Sequence, residues 1–411
     1  MKFGKKIATL GSAALAVTIL AACSSNSKDT STSKSSDTTV TLWVDATQVK
    51  LYKPMAQKFE DANSDIKVTV KASPTGSQNA KVDVSKDPSK AADVFELPHD
   101  QIGQMVQAGY INPLSPDAEK NVTDSDIPAA AEAVTFEGKM YGYPQSQESK
   151  IMFYNKSKLT ADDVKTFEGI TAKATFAMTI TDDKNGAQYT MVPFFLSNGV
   201  KLYGDNGEDL TGSTFNTDQG VNVMKWISGL KSNAHVLDAS TAAIDALKSG
   251  KADVYIDGPW DSGAIKDALG DNYAVAPYPS ADFGNGSVEL KAFSGVKAFA
   301  VNSQSKNQAA SAKLAEFLTN KDEQLQSYKD EARIPVNKEA LTDSTIKSDP
   351  VAQAVATMVE RNVMMPKLPE MAKFWDLSTP IIVGSYNGTI AQSDYKSTLD
   401  QFEKDISQKS N

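Results

Sequence analysis

The sequence predicts an α/β protein folded as two lobes. Short alternating or apolar runs that read as strands take turns with runs of helical periodicity, and the folded part of the 411-residue chain is longer than one core sustains. Val40-Thr41-Leu42-Trp43-Val44 opens as a strand, residues 51–62 repeat Leu51, Met55, Phe59 and Ala62 at helical spacing, and residues 66–70 alternate as a strand. A β-α-β start results. Residues 93–97 give another strand, and a helix over 101–108 is closed by Gly109. Residues 150–155 form a strand rich in β-branched and aromatic side chains, and 221–230 an amphipathic helix. The strand over 251–257 ends at Gly258-Pro259-Trp260, where glycine and proline force a turn. Helices follow over 308–318, 351–361 and 395–406. This alternation implies parallel sheets, and no tandem repeat of solenoid period is present.

The amino terminus sets the compartment. Lys2, Lys5 and Lys6 precede an apolar stretch over 7–20, followed at once by Leu20-Ala21-Ala22-Cys23, the order of a secretory signal. The run is shorter than the ~20 residues of a permanent span. The tetrad resembles the lipobox of bacterial lipoproteins, which implies cleavage after residue 22 and a diacylglycerol on Cys23. An ordinary signal peptide with an incidental thiol is the plainer alternative. Cys23 is the only cysteine, so no disulfide forms within a monomer. One acyl chain holds marginally, so stable anchoring takes more than one. Residues 23–39 are mainly Ser, Thr, Asp, Asn and Lys, the composition of a flexible tether.

Lys2, Lys5 and Lys6 leave with the signal, so the 42 basic residues fall to 39 against 51 acidic ones, a formal charge of −12. That balance opposes binding to nucleic acid or to an anionic membrane face. Arginine occurs only at Arg333 and Arg361, which weakens any phosphate clamp built on bidentate forks. With two histidines and no Cys/His cluster at ligand spacing, neither a metal nor another cofactor is expected.

Several stretches in order resemble the maltose/maltodextrin-binding proteins of bacterial ABC importers. They are Lys67-Val68-Thr69-Val70, Asp93-Val94-Phe95 leading to His99-Asp100, Gln107-Ala108-Gly109-Tyr110, Glu137-Gly138-Lys139 before Tyr143-Pro144, and Tyr154-Asn155-Lys156. Ile256-Asp257-Gly258-Pro259-Trp260 and the late cluster of Met365-Pro366, Pro369-Glu370-Met371 and Phe374-Trp375 are the specific ones. The resemblance implies a periplasmic-binding-protein-like fold of type II, with a ligand cleft between lobes joined by hinge strands. It divides the mature chain into an amino-terminal lobe (40–147 and 297–334) and a carboxy-terminal lobe (148–296 and 335–411). It also implies a lipid-anchored monomer on the outer face of the cytoplasmic membrane, delivering maltodextrin to the importer's membrane subunits and performing no chemistry.

A sugar presents flat C–H faces and rims of hydroxyls, so its site needs ring platforms and planar polar groups. Carried over from the resemblance, Trp260 and Trp375 are the platforms and Tyr189 a third. Asp100 and Glu148 bind hydroxyls, with Asp45 and Gln101 beside them. For the rings the alternative is burial in a core, the reading given to Trp43 and Trp226. For Asp100 it is the cap of the helix that follows. Gln101 stands where the family often has arginine, Leu97 replaces a family tryptophan, and Thr379 sits where a basic residue can contact sugar. Competing functions are a same-fold binder of another oligosaccharide, a polyol or a glycerophosphodiester, a lipid-anchored adhesion or folding factor, and a glycoside hydrolase. The hydrolase would need two carboxylates about 5 Å or about 6.5–9.5 Å apart; Asp100 and Glu148 are the available pair, with no hydrolase motif beside them.

Overall fold

The computed structural model describes residues 38–182, 184, 186–239 and 242–410. The signal segment, Cys23 and the tether up to residue 37 lie outside them. The first strand, β1 (Thr38–Val44), begins two residues before the expected position, because Thr38 and Thr39 already pair with Ile66 and Lys67 of β2 (Ile66–Ala72). Between these strands runs α1 (Val49–Ala62), which buries Leu51, Tyr52, Met55, Ala56 and Phe59, one face at helical spacing. Next come β3 (Val94–Pro98), β4 (Tyr143–Ser149) and β5 (Ile151–Asn155), the last two separated only by Lys150.

The remaining strands that matter are β6 (Phe176–Met178), β7 (Val236–Asp238), β8 (Val254–Asp257), β9 (Tyr273–Ala276), β10 (Phe293–Val301), β11 (Ile334–Pro335) and β12 (Val363–Met364). They make two main sheets. The first has the order β11-β4-β10-β3-β1-β2, with β12 on the start of β10; the second has the order β9-β5-β8-β6-β7. Neither sheet is wholly parallel as the alternation implied. β10 arrives from the second half of the molecule and runs antiparallel to both β3 and β4, while β5, leaving the first half, runs antiparallel to β8 and β9. Each antiparallel strand is one that crosses between halves, and crossing reverses its direction relative to the local β-α-β units.

Apolar residues pack on both faces of the first sheet. Tyr52, Phe59, Phe299 and Leu314 lie on one side, and Phe95, Leu97, Ile102 and Met105 on the other. The second sheet has its own larger core, to which α2 (Ala187–Ser197) and α3 (Met371–Asn387) contribute Phe194, Phe195 and Phe374. Trp226 belongs there, edge-on to Phe167 and Phe194 at 5.0 and 5.6 Å; Trp43 packs beside Phe95 and Leu97. Both agree with the core assignment. No helix among the described residues is long and apolar enough to cross a membrane.

Candidate functional site

The expected residues gather where the carboxyl ends of β1, β3 and β8 meet the connections between halves. On the side of the second sheet three rings pack together, Tyr189 and Trp375 partly exposed and Phe293 fully buried against them. Tyr189 of α2 stacks on Phe293, the first residue of β10, with centroids 6.0 Å apart and planes at 24°. Trp375 of α3 meets Phe293 edge-on at 5.5 Å and lies 6.4 Å from Tyr189. Trp375 sits inside a helix, not in the proline-rich loop before it; its neighbour Phe374 is fully buried and holds that turn in the core. The Tyr189 hydroxyl is buried and has no hydrogen-bond partner among the described residues. Burial, and then the negative charges of Glu148, Asp100 and Asp257, hold its pKa well above the usual phenol value.

Trp260 stands apart from these rings, in the 3₁₀ turn Pro259–Asp261 that follows β8. It is 47% exposed, and a buried indole would be the ordinary outcome. Its ring folds back over its own turn: a Cβ on Gly258 would fall 2.2 Å from the indole carbons Cη2 and Cζ3. Gly258 has an ordinary backbone (φ −88°), so its glycine is required by this close approach and not by conformation.

On the side of the first sheet the groups are polar. Asp100 lies in the short 3₁₀ turn His99–Gln101 after β3 and is buried. It does not cap the helix that follows, Ile102–Gln107, whose cap position is Gln101 and carries no side-chain bond. Instead the Trp375 indole Nε1 donates to Asp100 Oδ2 at 3.0 Å, joining the two halves. Burial pushes the Asp100 pKa up to about 6, against the pull of Trp375 and Lys297, and Glu148 adds to the rise. The turn is fixed by His99: its Nδ1 accepts from the Val296 amide at 3.1 Å, so Nε2 carries the proton donated to the Met365 carbonyl at 2.9 Å. Burial keeps this imidazole neutral, its pKa pushed down to about 4.

Glu148 is the penultimate residue of β4, opposite Gly295 of β10, and a Cβ there would come within 3.0 Å of the Glu148 Cγ. Among the described residues its carboxylate has no hydrogen-bond partner, which leaves it available. Asp45 is otherwise placed: its two oxygens accept from the Ser77 amide at 2.5 Å and the Ser77 hydroxyl at 2.8 Å. Gln101 is likewise engaged at both ends, Oε1 accepting from the Lys81 amide at 2.9 Å and Nε2 donating to the Gln78 carbonyl at 2.5 Å. Both side chains therefore shape the 3₁₀ turn Ser77–Asn79 and the start of the helix Ala80–Lys86 at the edge of the site. Leu97 is completely buried against Ile102 and Met105.

Three groups in or under the site had no sequence signal. Lys297 of β10 points its ammonium at Ser77 Oγ, 3.0 Å away, and faces Asp100. Arg333 and Glu96 form a buried ion pair behind Glu148. Lys150, between β4 and β5, is buried with Asp257 at the end of β8. Asp261 completes that cluster, its pKa raised to about 6 by burial and by the charge of Asp257. Asp257 stands in the Ile-Asp-Gly-Pro-Trp motif, so its position was visible while its partner was not.

Two mixed sheets joined by crossing strands, with rings on one half facing carboxylates on the other, define a two-lobed solute-binding protein of type II. The chain belongs to the family of bacterial extracellular solute-binding proteins, whose pattern it matches over residues 54–354. Among solved structures it is similar to the maltodextrin-binding protein MalE1 from L. casei BL23 without ligand, at 48% identity and a TM-score of 0.83, covering 90% of this chain and 99% of that one. It is 29% identical to the maltooligosaccharide ABC transporter solute-binding lipoprotein of Streptococcus pneumoniae serotype 4, over 94% of this chain and 93% of that protein. It is also 27% identical to the galactooligosaccharide-binding protein of Bacillus subtilis, over 98% and 96%.

Proposed function

We propose that this protein captures a maltodextrin between its lobes by hinge closure and delivers it, chemically unchanged, to the membrane subunits of an ABC importer. The observation that carries the reading is the pair of part-exposed rings Tyr189 and Trp375, backed by the buried Phe293 and set against the Asp100 and Glu148 carboxyls, with Trp375 and Asp100 already in contact across the halves. A glucan stacked on the rings would offer its hydroxyls to those carboxylates, replacing the indole at Asp100. Touching both halves, it favours the closed state. Trp260 serves as a further platform at the exposed end. The relatives named for maltodextrin and maltooligosaccharide support this choice of sugar, and the lipoprotein relative supports an anchor at Cys23 on the outer face of the cytoplasmic membrane. We read 40–147 with 297–334 and 148–296 with 335–411 as the two lobes, with the segments around Lys150, Gly295 and Pro335 as the connections.

A second reading, another oligosaccharide in the same site, draws on the galactooligosaccharide-binding relative. Calorimetric titration of the mature chain with maltose, maltotriose, longer maltodextrins and a galactooligosaccharide series decides between them. Saturable heat with maltodextrins, and their recovery at unchanged length, is the expected result. Heat with the galactose series alone would transfer the site to the second reading, and shortened products would make the protein a hydrolase.

A further inference from the structure

Lys150 occupies the single position between β4 of the first sheet and β5 of the second, and its ammonium is buried in the second half. Three groups surround it. Its Nζ donates to Thr190 Oγ1 at 2.9 Å, lies 3.8 Å from Asp257 Oδ1, and stands 5.9 Å from the centroid of the Tyr189 ring. Thr190 is the residue after Tyr189 on α2. Asp257 Oδ1 also accepts from the Gly258 amide at 2.8 Å, closing the turn that carries Trp260. A buried ammonium is tolerated only with partners in good geometry, so its position is fixed by these contacts as firmly as it fixes them.

We propose, on the footing of the sugar-binding reading above, that Lys150 is a positioning residue. Through Thr190 and Asp257 it sets the Tyr189 and Trp260 platforms relative to each other and ties both to the first crossing between lobes. Removing its charge takes away the cation that offsets Asp257 and Asp261, and their repulsion loosens the Gly258–Trp260 turn. Lys150 is itself buried, so the loss is transmitted to bound sugar through the platforms, chiefly through Trp260, whose turn Asp257 closes.

The test combines a ligand-free readout with affinity. The mature chain, labelled with 5-fluorotryptophan, gives one fluorine resonance for each of its four tryptophans, that of Trp260 being identified by its loss in Trp260→Phe. In Lys150→Met the Trp260 resonance is expected to shift or broaden while those of Trp43 and Trp226 stay in place. Affinity for maltotriose should fall about tenfold, and by less than twofold when Trp260→Ala is already present, because coupled residues are non-additive. An unmoved Trp260 resonance, or a full tenfold loss persisting on Trp260→Ala, would overturn the proposal. If Lys150→Met does not fold, Thr190→Val removes one anchor of the ammonium at constant shape, and the same displacement of Trp260 is expected or the proposal fails. A wild-type protein that binds no glucan would end the sugar reading, while the fluorine spectra would still decide the role of Lys150.

Discussion

The two faces of the site are built by different physics. On the second-sheet side, Tyr189, Phe293 and Trp375 are extensions of an apolar core, held by ring-on-ring contacts that keep their value under small displacements. On the first-sheet side, Asp100 and Lys297 are each held by one hydrogen bond and Asp45 and Gln101 by two each, at 2.5–3.0 Å and each with one productive geometry. The contrast teaches a division of labour. On the sugar-binding reading proposed above, the ring side would supply contact area to any sugar face and the polar side would discriminate, because a carboxylate that finds no hydroxyl is left desolvated and unpaired.

The sharpest way to break this division is to remove a ring. Trp260→Ala and Trp375→Ala should each weaken maltodextrin binding by about thirtyfold or more, the size of a buried aromatic hot spot. Trp43→Phe should leave the affinity unchanged in the same calorimetric titration. Equal small effects from all three would mean that the ring surface is only core. On the opposite face Glu148→Gln should cost about tenfold, as expected when a charge-assisted hydrogen bond becomes a neutral one.

Acid gives a second handle, because Asp100 titrates near pH 6. Its pKa lies above the unfolded value near 4, so the folded state holds the extra proton between about pH 4 and 6, and stability contributed by this group falls as pH rises through that window. Affinity moves the other way. Only the ionised carboxylate offers both oxygens as charged acceptors to hydroxyl donors, so binding should weaken about tenfold from pH 7 to pH 5. Asp261 titrates in the same range on the other face. Asp100→Asn should flatten the profile and Asp261→Asn should not; the reverse result would place the titration under Trp260 and reverse the assignment of the polar face.

Sequence and structure diverge along the same line. The strands β1, β2, β3 and β8, the face of α1 and the Gly258-Pro259-Trp260 turn were legible, because each is written in local periodicity or in turn chemistry. α2 was missed because residues 190–196 are apolar on nearly every side and carry no helical stripe, and α3 because Pro380 interrupts it. The polar face was least legible. Lys297 reads as one polar residue within β10, and Lys150 as one at the edge of β5; only the pairing of β10 with β3 and β4 brings the first to Ser77, and only the fold of the second sheet brings the second to Asp257. Asp45 and Gln101 were expected beside the sugar, and the sequence carried no sign that the turn over 77–81 engages both side chains.

That turn supplies the smallest effect and the finest test of the division. Because both ends of the Gln101 amide bond to backbone at Gln78 and Lys81, Gln101→Ala should act through the turn. The loss of its bonds is worth about 1 kcal/mol, lowering Tm by about 2 °C. Affinity should fall by about threefold at most, since Ser77 and Lys297 then shift by a fraction of a bond length without leaving the site. Asp45→Asn should behave the same way, because the carboxylate it replaces accepts from Ser77 and the amide retains one acceptor. If either substitution weakens binding as much as Glu148→Gln with Tm unchanged, that side chain meets the sugar directly. The polar face would then extend to the edge of the first sheet, and the liganded protein would have to release these turn bonds on closing.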